Sequence, residues 1–250
     1  MKTVIAACNV IADFRCRFFL ILVGLSFIFY SADSTIAQVV SEPNQERVSL
    51  GLLSAKYESG GRGPETVSTG IGDPGGVSYG TYQLASAIGN ADRFTDKYYV
   101  SEFKGLKGGT PEFTQQWKRT VAKDPKAFHS NEHEFIKQTH YDHQVKLIQT
   151  ELKIDTNARS AAFKDVVWSC AVQHGPNSKL IVNASKTLTA EIENVESDLE
   201  WIKAIYKERG RTTSDGELVH FQGVSAEWQP ALTRRFREEL KDAIEMLTGS

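Results

Sequence analysis

The feature that most limits how this chain can fold is a glycine-rich stretch between residues 57 and 83. It reads YESGGRGPETVSTGIGDPGGVSYGTYQ and holds eight of the chain's 19 glycines. Glycine weakens helices and strands because it loses the most backbone entropy on folding, so this density marks tight turns or a backbone that approaches a partner closely. We therefore expect no helix between Gly60 and Gly80, and one small irregular hairpin built from ETVST and GVSYGTYQL.

Outside this stretch, apolar residues recur with the spacing of amphipathic helices. Ser41 and Pro43 are typical of a helix start, and the pattern ends at Gly60, which places Glu58 at the C-terminal end of the helix. Helical spacing returns in residues 86–96, 112–124, 132–152, 158–173, 178–207 and 226–247. The sequence thus predicts a mainly α domain with one glycine-rich β-hairpin.

The N-terminus has the pattern of an export signal. Lys2, Arg15 and Arg17 flank an apolar run at residues 18–30, and a small, polar stretch follows as far as Ala37. The 13 residues of this run fall short of the roughly 20 that a helix needs to cross a bilayer. We expect a signal peptide at residues 1–37, with an uncleaved anchor as the alternative, and one periplasmic or secreted domain at residues 38–250.

Charge and cysteine content exclude several classes of protein. Removing the signal takes away three of the 29 Lys and Arg and two of the 31 Asp and Glu, which leaves a net charge of −3. This is not the charge of a nucleic-acid binder. The same cut removes Cys8 and Cys16 and leaves Cys170 alone, so no internal disulfide can form. We expect a monomer that binds no nucleic acid.

Two short motifs match other functions but lack the necessary context. Residues 70–75 match G-x-G-x-x-G, yet neither the buried strand nor the helix that a dinucleotide-binding turn requires flanks them. His129 and His133 have the H-x-x-E-H spacing that places two imidazoles beside a carboxylate on one helical face. A zinc hydrolase also needs a third ligand with supporting partners. We therefore expect no metal and no cofactor.

Two carboxylates beside the glycines suit the cleavage of a glycosidic bond. That reaction needs an acid to protonate the leaving oxygen and a second carboxylate to attack the sugar or to activate water. Glu58 on a helix end and Asp73 on a loop have different environments, which is how two acids acquire different pKa values. Glycines allow a sugar to approach the backbone, and Tyr57, Tyr79 and Tyr82 either stack on sugars or pack in the core. On this pattern alone, both acids being ordinary surface charges is the alternative.

The same stretch resembles a known family. Together with FIKQTHYD at residues 135–142 and DVVWSCAVQHG at residues 165–175, it resembles the peptidoglycan-degrading, lysozyme-like domain at the C-terminus of some type VI secretion spike proteins. The E-S-G at Glu58 and the Y-G-x-Y-Q-L at Tyr79 also resemble lytic transglycosylases and goose-type lysozymes. The spacing from Glu58 to Asp73 resembles that of chitosanases. The similarity covers most of residues 45–245.

The resemblance implies a lysozyme-like helical fold whose hairpin lies beside an active-site cleft. It implies that Glu58 is the general acid and Asp73 the base that activates water. The residues expected to line the cleft and bind substrate are Ser78, Tyr79, Gln83 and His174. For His174, a role as a cap or packing residue is the alternative.

The implied substrate is the glycan backbone of peptidoglycan, and an envelope component, a secretion-system component or an immunity protein is the implied partner. Since an export signal stands where a spike module would precede the domain, we expect a resident or secreted wall enzyme. Hydrolysis of chitosan or chitin, lytic transglycosylation by Glu58 alone, and wall binding without catalysis are the alternatives.

Overall fold

The computed structural model describes residues 50–58, 62–71, 75–188, 198–222, 224 and 226–249. The helices are α1 (Leu52–Glu58), α2 (Asn90–Tyr98), α3 (Pro111–Lys123), α4 (Pro125–Ile136), α5 (Asp142–Leu152), α6 (Ala161–His174), α7 (Leu180–Ser185), α8 (Asp198–Arg209) and α9 (Gln229–Thr248). A π-helical turn, Lys137–Tyr141, joins α4 to α5, and 3-10 turns span Thr156–Ala158 and Val219–Phe221. Strands β1 (Ser78–Tyr79) and β2 (Leu84–Ala85) pair antiparallel. The predicted mainly α class with one small hairpin is confirmed.

Several sequence predictions fall outside the described residues. These are the signal at residues 1–37, the helix start at Ser41 and the loop carboxylate Asp73. The prediction of one helix running from Ser41 to residue 59 is wrong at residues 50–51, because Gly51 has φ +87° and α1 begins only at Leu52. Within the described ranges, no helix combines the length and the apolar character that crossing a membrane requires.

Helix α6 forms the centre of the helical core. Phe163, Val167 and Trp168 on this helix are completely buried, and α1, α5, α7, α8 and α9 all pack against it. Burial on every side agrees with its sequence, which is apolar around most of the helix circumference.

A second part of the core is aromatic and supports the hairpin. The ring of Tyr79 in β1 lies 5.1 Å from the rings of both Phe113 and Trp117 in α3. Trp117 Nε1 donates a hydrogen bond of 2.8 Å to the carbonyl of Pro64. The hairpin and the loop before it are therefore attached to α3.

Side-chain caps set helix boundaries that hydrophobic periodicity missed. Asp124 accepts a hydrogen bond of 2.9 Å from the amide of Ala127, and Pro125 occupies the first turn of α4. The sequence prediction left residues 125–131 outside any helix, and this cap shows why α4 begins there.

The predicted helix at 178–207 is instead two helices, α7 and α8, with residues 189–197 outside the described part.

The glycine-rich stretch forms one small hairpin as predicted, but both strands come from GVSYGTYQL and the residue after it, and ETVST contributes only an isolated bridge. Tyr79 pairs with Leu84 across the two strands, and Val67 forms an isolated bridge to Tyr79 from the other side. Gly80 follows β1 with φ +76°, and a methyl group there would overlap the carboxylate of Glu132 on α4. The turn therefore requires glycine, both for its backbone conformation and for its close approach to α4.

Candidate active site

A groove of about 770 Å³ lies between the hairpin and the helical body. The end of α1, the hairpin turn, α2, the π-helical turn, the C-terminal end of α6 and the turn Val219–Phe221 all contribute residues to its walls. Its volume falls within the usual range of small-ligand sites, from about 300 to 1,000 Å³.

The groove brings together some of the predicted site residues. Glu58, Gln83 and His174 all line it, although they come from three separate parts of the chain. Asp73 lies outside the described residues.

Ser78 and Tyr79 are not among the residues that line the groove, which corrects the expectation for both. Tyr79 is fully buried, and its hydroxyl lies 2.8 Å from that of Thr114. Ser78 is 1% exposed, and its amide donates to the hydroxyl of Ser68 at 2.8 Å. The ring of Tyr79 is covered by Phe113 and Trp117 of α3, and the backbone of β1 is paired on both sides, with β2 and with the segment around Val67.

Glu58 is a buried acid at the groove wall. Its side chain is 2% exposed, and its Oε1 accepts a hydrogen bond of 2.7 Å from Arg235 Nη2. Burial raises the pKa of Glu58 above its ordinary value, against the charge and hydrogen bond of Arg235, which lower it. A carboxyl with a raised pKa that borders a groove can hold a proton and deliver it to a bound substrate.

Arg235 is itself positioned by a buried charge network. Its Nε donates to Glu239 Oε1 at 2.6 Å, and Arg209 Nη1 donates to Glu239 Oε2 at 2.5 Å. The two arginines lower the pKa of Glu239 despite its burial, so Glu239 is the ionised centre of the network. Arg209 also donates to Gln173, which lines the groove. The network thus connects Glu58 to a second point on the groove wall.

The short helix that carries Glu58 is fixed at its start by Asp165 of α6. The carboxylate accepts hydrogen bonds from the amides of Gly51, Leu52 and Leu53, the last two at 3.0 and 2.8 Å. Burial raises the pKa of Asp165 to about 6, against these hydrogen bonds. A helix of seven residues is far below the roughly 12 to 15 at which isolated helices become marginally stable. The cap from α6 therefore contributes directly to the placement of Glu58.

A second buried acid, Glu132 of α4, supports the hairpin turn. Its Oε1 accepts from the Thr81 amide at 3.1 Å, and its Oε2 accepts from the Thr81 hydroxyl at 3.2 Å. Gln83 follows with φ +50°, and its Nε2 donates to the carbonyl of Gly80 at 2.8 Å. These contacts orient Gln83 at the groove.

The histidine pair considered as a zinc site contacts the hairpin. His129 Nδ1 lies 3.1 Å from the hydroxyl of Thr81, and His133 Nδ1 lies 2.8 Å from that of Tyr82. Across the described ranges, no three His, Cys, Asp or Glu side chains are grouped as metal ligands. Both imidazoles take part in holding the hairpin against α4.

His174 ends α6 beside the turn that carries His220 and Phe221. Its ring centroid lies 5.8 Å from that of His220 and 5.1 Å from that of Phe221. Burial, together with the positive charge of Arg209, holds the pKa of His174 well below its ordinary value. The imidazole is therefore neutral where it borders the groove.

Sequence reasoning missed the charges behind Glu58, although α9 carries a signal for them. Its buried positions include Leu232, Phe236 and Ala243, which form an apolar stripe, and Arg235 and Glu239 fall on the same stripe. Charged residues at core positions of a helix are almost always paired, and they frequently mark a site.

The fold and the groove define a mainly α domain with a small hairpin and a buried acid at the groove wall. Residues 50–240 match the family described as "Type VI secretion system spike protein VgrG3-like, C-terminal". The chain belongs to this family, and the predicted relationship with type VI secretion spike proteins is confirmed.

One curated relative is the type VI secretion system spike protein VgrG3 of Vibrio cholerae serotype O1 (strain ATCC 39315 / El Tor Inaba N16961). It is 42% identical over 136 residues, which make up 54% of this chain and 13% of that protein. The chain therefore matches about an eighth of the length of this relative.

Proposed function

We propose that the protein is a glycoside hydrolase that cuts the glycan backbone of peptidoglycan, with Glu58 as the general acid. The observation that carries the proposal is the Glu58 carboxyl itself, buried at the wall of a groove, with a raised pKa. Cleavage of a glycosidic bond needs a neutral acid at the moment when the leaving oxygen takes up negative charge.

Arg235 determines which oxygen of Glu58 carries the proton, and it stabilises the Glu58 anion after proton transfer. Because Arg235 donates to Oε1 of Glu58, the proton of the neutral acid belongs on Oε2. When that proton passes to the leaving oxygen, Glu58 becomes an anion beside a guanidinium that is already in place. The ionised Glu239 keeps Arg235 there during both states.

We assign the second carboxylate to Asp73, which the sequence places on a Gly-Asp-Pro-Gly turn. In this mechanism Asp73 removes a proton from water, and that water attacks the sugar from the face opposite Glu58. The arrangement requires a carboxyl separation of roughly 6.5 to 9.5 Å and gives inversion at the anomeric carbon. Gln83 and His174 contribute groove contacts to the glycan.

Membership of the spike-protein family favours action on the envelope, and the signal-like N-terminus favours export to the periplasm or the medium. The partner class that fits both is an envelope or secretion-system component, or an immunity protein that covers the groove.

Digestion of purified peptidoglycan, chitin and chitosan tests this function. We expect new reducing ends from peptidoglycan by mass spectrometry, with the fresh anomeric centre inverted by NMR. Anhydro-muramyl ends would instead show a lytic transglycosylase that uses Glu58 alone. Cleavage confined to chitosan or chitin, or binding to the wall without any cleavage, would overturn the proposal.

A further inference from the structure

We propose that Arg93, His140 and His143 form a carboxylate-binding subsite in the groove, which selects glycans that carry carboxylates over neutral or cationic ones. The inference rests on the proposed function, because it names the chemical feature by which that groove would recognise peptidoglycan. It separates peptidoglycan from chitin, which is neutral, and from chitosan, which is a polycation.

The ionisable side chains that line the groove are mostly basic. Among the described lining residues, Glu58 is the one carboxylate, and it faces Arg235. Arg93, His140 and His143 line the same groove. A cleft for a polycation would need additional carboxylates to pair with the amines. The lining therefore favours a substrate with negative charge.

Arg93 on α2 is exposed and carries an uncompensated charge. Its Nη2 donates to Oδ1 of Asn90, which is a neutral amide. Within the described ranges Arg93 forms no ion pair, whereas Arg209 and Arg235 each pair with glutamates. A guanidinium without a carboxylate partner can bind an incoming carboxylate through two parallel hydrogen bonds.

The π-helical turn carries His140, which lines the same groove as Arg93. Thr139 donates its hydroxyl proton to the Phe135 carbonyl at 2.7 Å, and its oxygen lies 2.8 Å from His140 Nδ1. Since the hydroxyl proton is already used, His140 Nδ1–H donates to that oxygen, and Nε2 is the atom left for a ligand. π-turns inside helices often occur at functional sites.

The pKa of His140 is affected by both of the other residues of the proposed subsite, Arg93 and His143. Burial, the charge of Arg93 and the neighbouring His143 together lower the pKa of His140 to about 4. Lys97 of α2 and Glu134 of α4 both contact Gln138 at the groove edge, and Lys137 pairs with Asp142 at 2.7 Å across the π-helical turn. A bound carboxylate would offset Arg93, so that Nε2 of His140 takes up a proton and donates to the ligand.

Peptidoglycan offers carboxylates from two sources, the lactyl group of muramic acid and the peptide stem. Calorimetry on the Glu58→Gln protein, which keeps the groove but lacks the acid, can distinguish them. The probes are glycan strands with intact stems, amidase-treated strands with free lactyl carboxylates, the carboxamide form of each, and chitotetraose. We expect at least about tenfold tighter binding of one or both carboxylate forms than of their carboxamides.

Arg93→Gln should abolish this preference, and Arg93→Lys should retain part of it. Arg119→Gln is the matched control, because Arg119 is also exposed and lies on α3, outside the groove lining. Proton uptake on binding, measured in buffers of different ionisation enthalpy, should disappear with His140→Gln. In the active enzyme, Arg93→Gln should raise KM for peptidoglycan with little change in kcat.

Equal affinity for carboxylate and carboxamide forms, or a preference that survives in Arg93→Gln, would overturn the subsite. Failure of the proposed function gives a different result. If the parent protein binds the carboxylate forms in an Arg93-dependent manner but cuts no wall, the subsite stands and the hydrolase assignment does not. Thermal unfolding of each variant confirms that the comparison is made between folded proteins.

Discussion

Glu58 at the groove wall and Glu132 behind the hairpin are both buried glutamates, but their carboxyl groups have different partners. Burial raises the pKa of both. Both oxygens of Glu132 accept from Thr81 behind the hairpin, whereas Glu58 faces Arg235 at the groove wall. A raised pKa therefore does not identify a catalytic acid by itself. Under the proposed function, Glu58 differs from Glu132 by its access to the groove and by a partner, Arg235, that would stabilise its anion.

The first prediction, and the largest effect, concerns Glu58→Gln. We expect about a thousandfold loss of wall-cutting rate with little change in thermal unfolding, because an amide cannot donate the proton. Initial rates of peptidoglycan digestion and a thermal scan measure the two quantities. Glu112→Gln, the same change at an exposed position on α3, is the control. A Glu58→Gln rate within tenfold of the parent would remove Glu58 from the acid role.

The second prediction is that a substitution of Glu132 lowers the stability of the protein rather than its activity. Glu132→Leu leaves the Thr81 amide and hydroxyl without their acceptor, so we expect a loss of about 1 to 3 kcal/mol in the free energy of unfolding. Urea denaturation measures it. Glu132→Gln retains one acceptor oxygen and should lose less. If Glu132→Leu abolished activity while its stability stayed unchanged, the roles given to the two glutamates would have to be exchanged.

A third prediction concerns the pH profile of kcat/KM, which should depend on the partner of Glu58 and not on Glu132. Arg235 lowers the pKa of Glu58 through its charge and hydrogen bond. Arg235→Met removes both, so the pKa rises further and the acid stays protonated to higher pH. We expect the basic limb of kcat/KM to move to higher pH, together with a lower kcat because the Glu58 anion loses its partner.

The control for this profile is Arg234→Met, the exposed neighbour on α9. Glu132→Gln should also leave the limb in place, since Glu132 does not border the groove. A limb that stays fixed in Arg235→Met would show that a different group limits the rate at high pH.

The smallest expected effect concerns His174, a half-buried base at the groove. Its pKa is held well below the ordinary value of 6.5, so the unfolded chain binds a proton at this position before the folded chain does. Stability is therefore lost as the pH falls below about 6.5. His174→Gln has no such titration, so its free energy of unfolding should rise relative to that of the parent as the pH falls from about 7 to about 5. A constant difference across that range would show that His174 titrates normally.

Glycine and turn-forming residues made part of the site predictable from the sequence. The glycines after residue 59 placed Glu58 at a helix end, as the structure has it. The turn signals between residues 60 and 83 indicated a hairpin, but its two strands lie closer together along the chain than the predicted pairing of ETVST with GVSYGTYQL. Burial of Ser78 and Tyr79 could not be predicted, because it depends on the bridge from Val67 and on the aromatic side chains of α3. Periodicity assigns a face to a strand only when one side meets solvent.

The partners of Glu58 were beyond sequence reasoning for a related reason. Arg235 lies 177 positions away along the chain, and no local pattern connects residues at that distance. The stripe on α9 indicated buried charges, but their partner became clear only when the fold brought α1 and α9 together. Long-range polar contacts are fixed by tertiary packing.

These long separations have a consequence for when activity appears during biosynthesis. The helix that bears Glu58 is held by Asp165, 113 positions from Leu52, and its carboxyl is held by Arg235. Closing such large loops is entropically costly and comes late in folding. A chain still being translated, or one truncated before α9, contains the Glu58 carboxyl but not its surroundings. If Glu58 is the acid that we propose, we expect such chains to be inert toward the wall until α9 has docked.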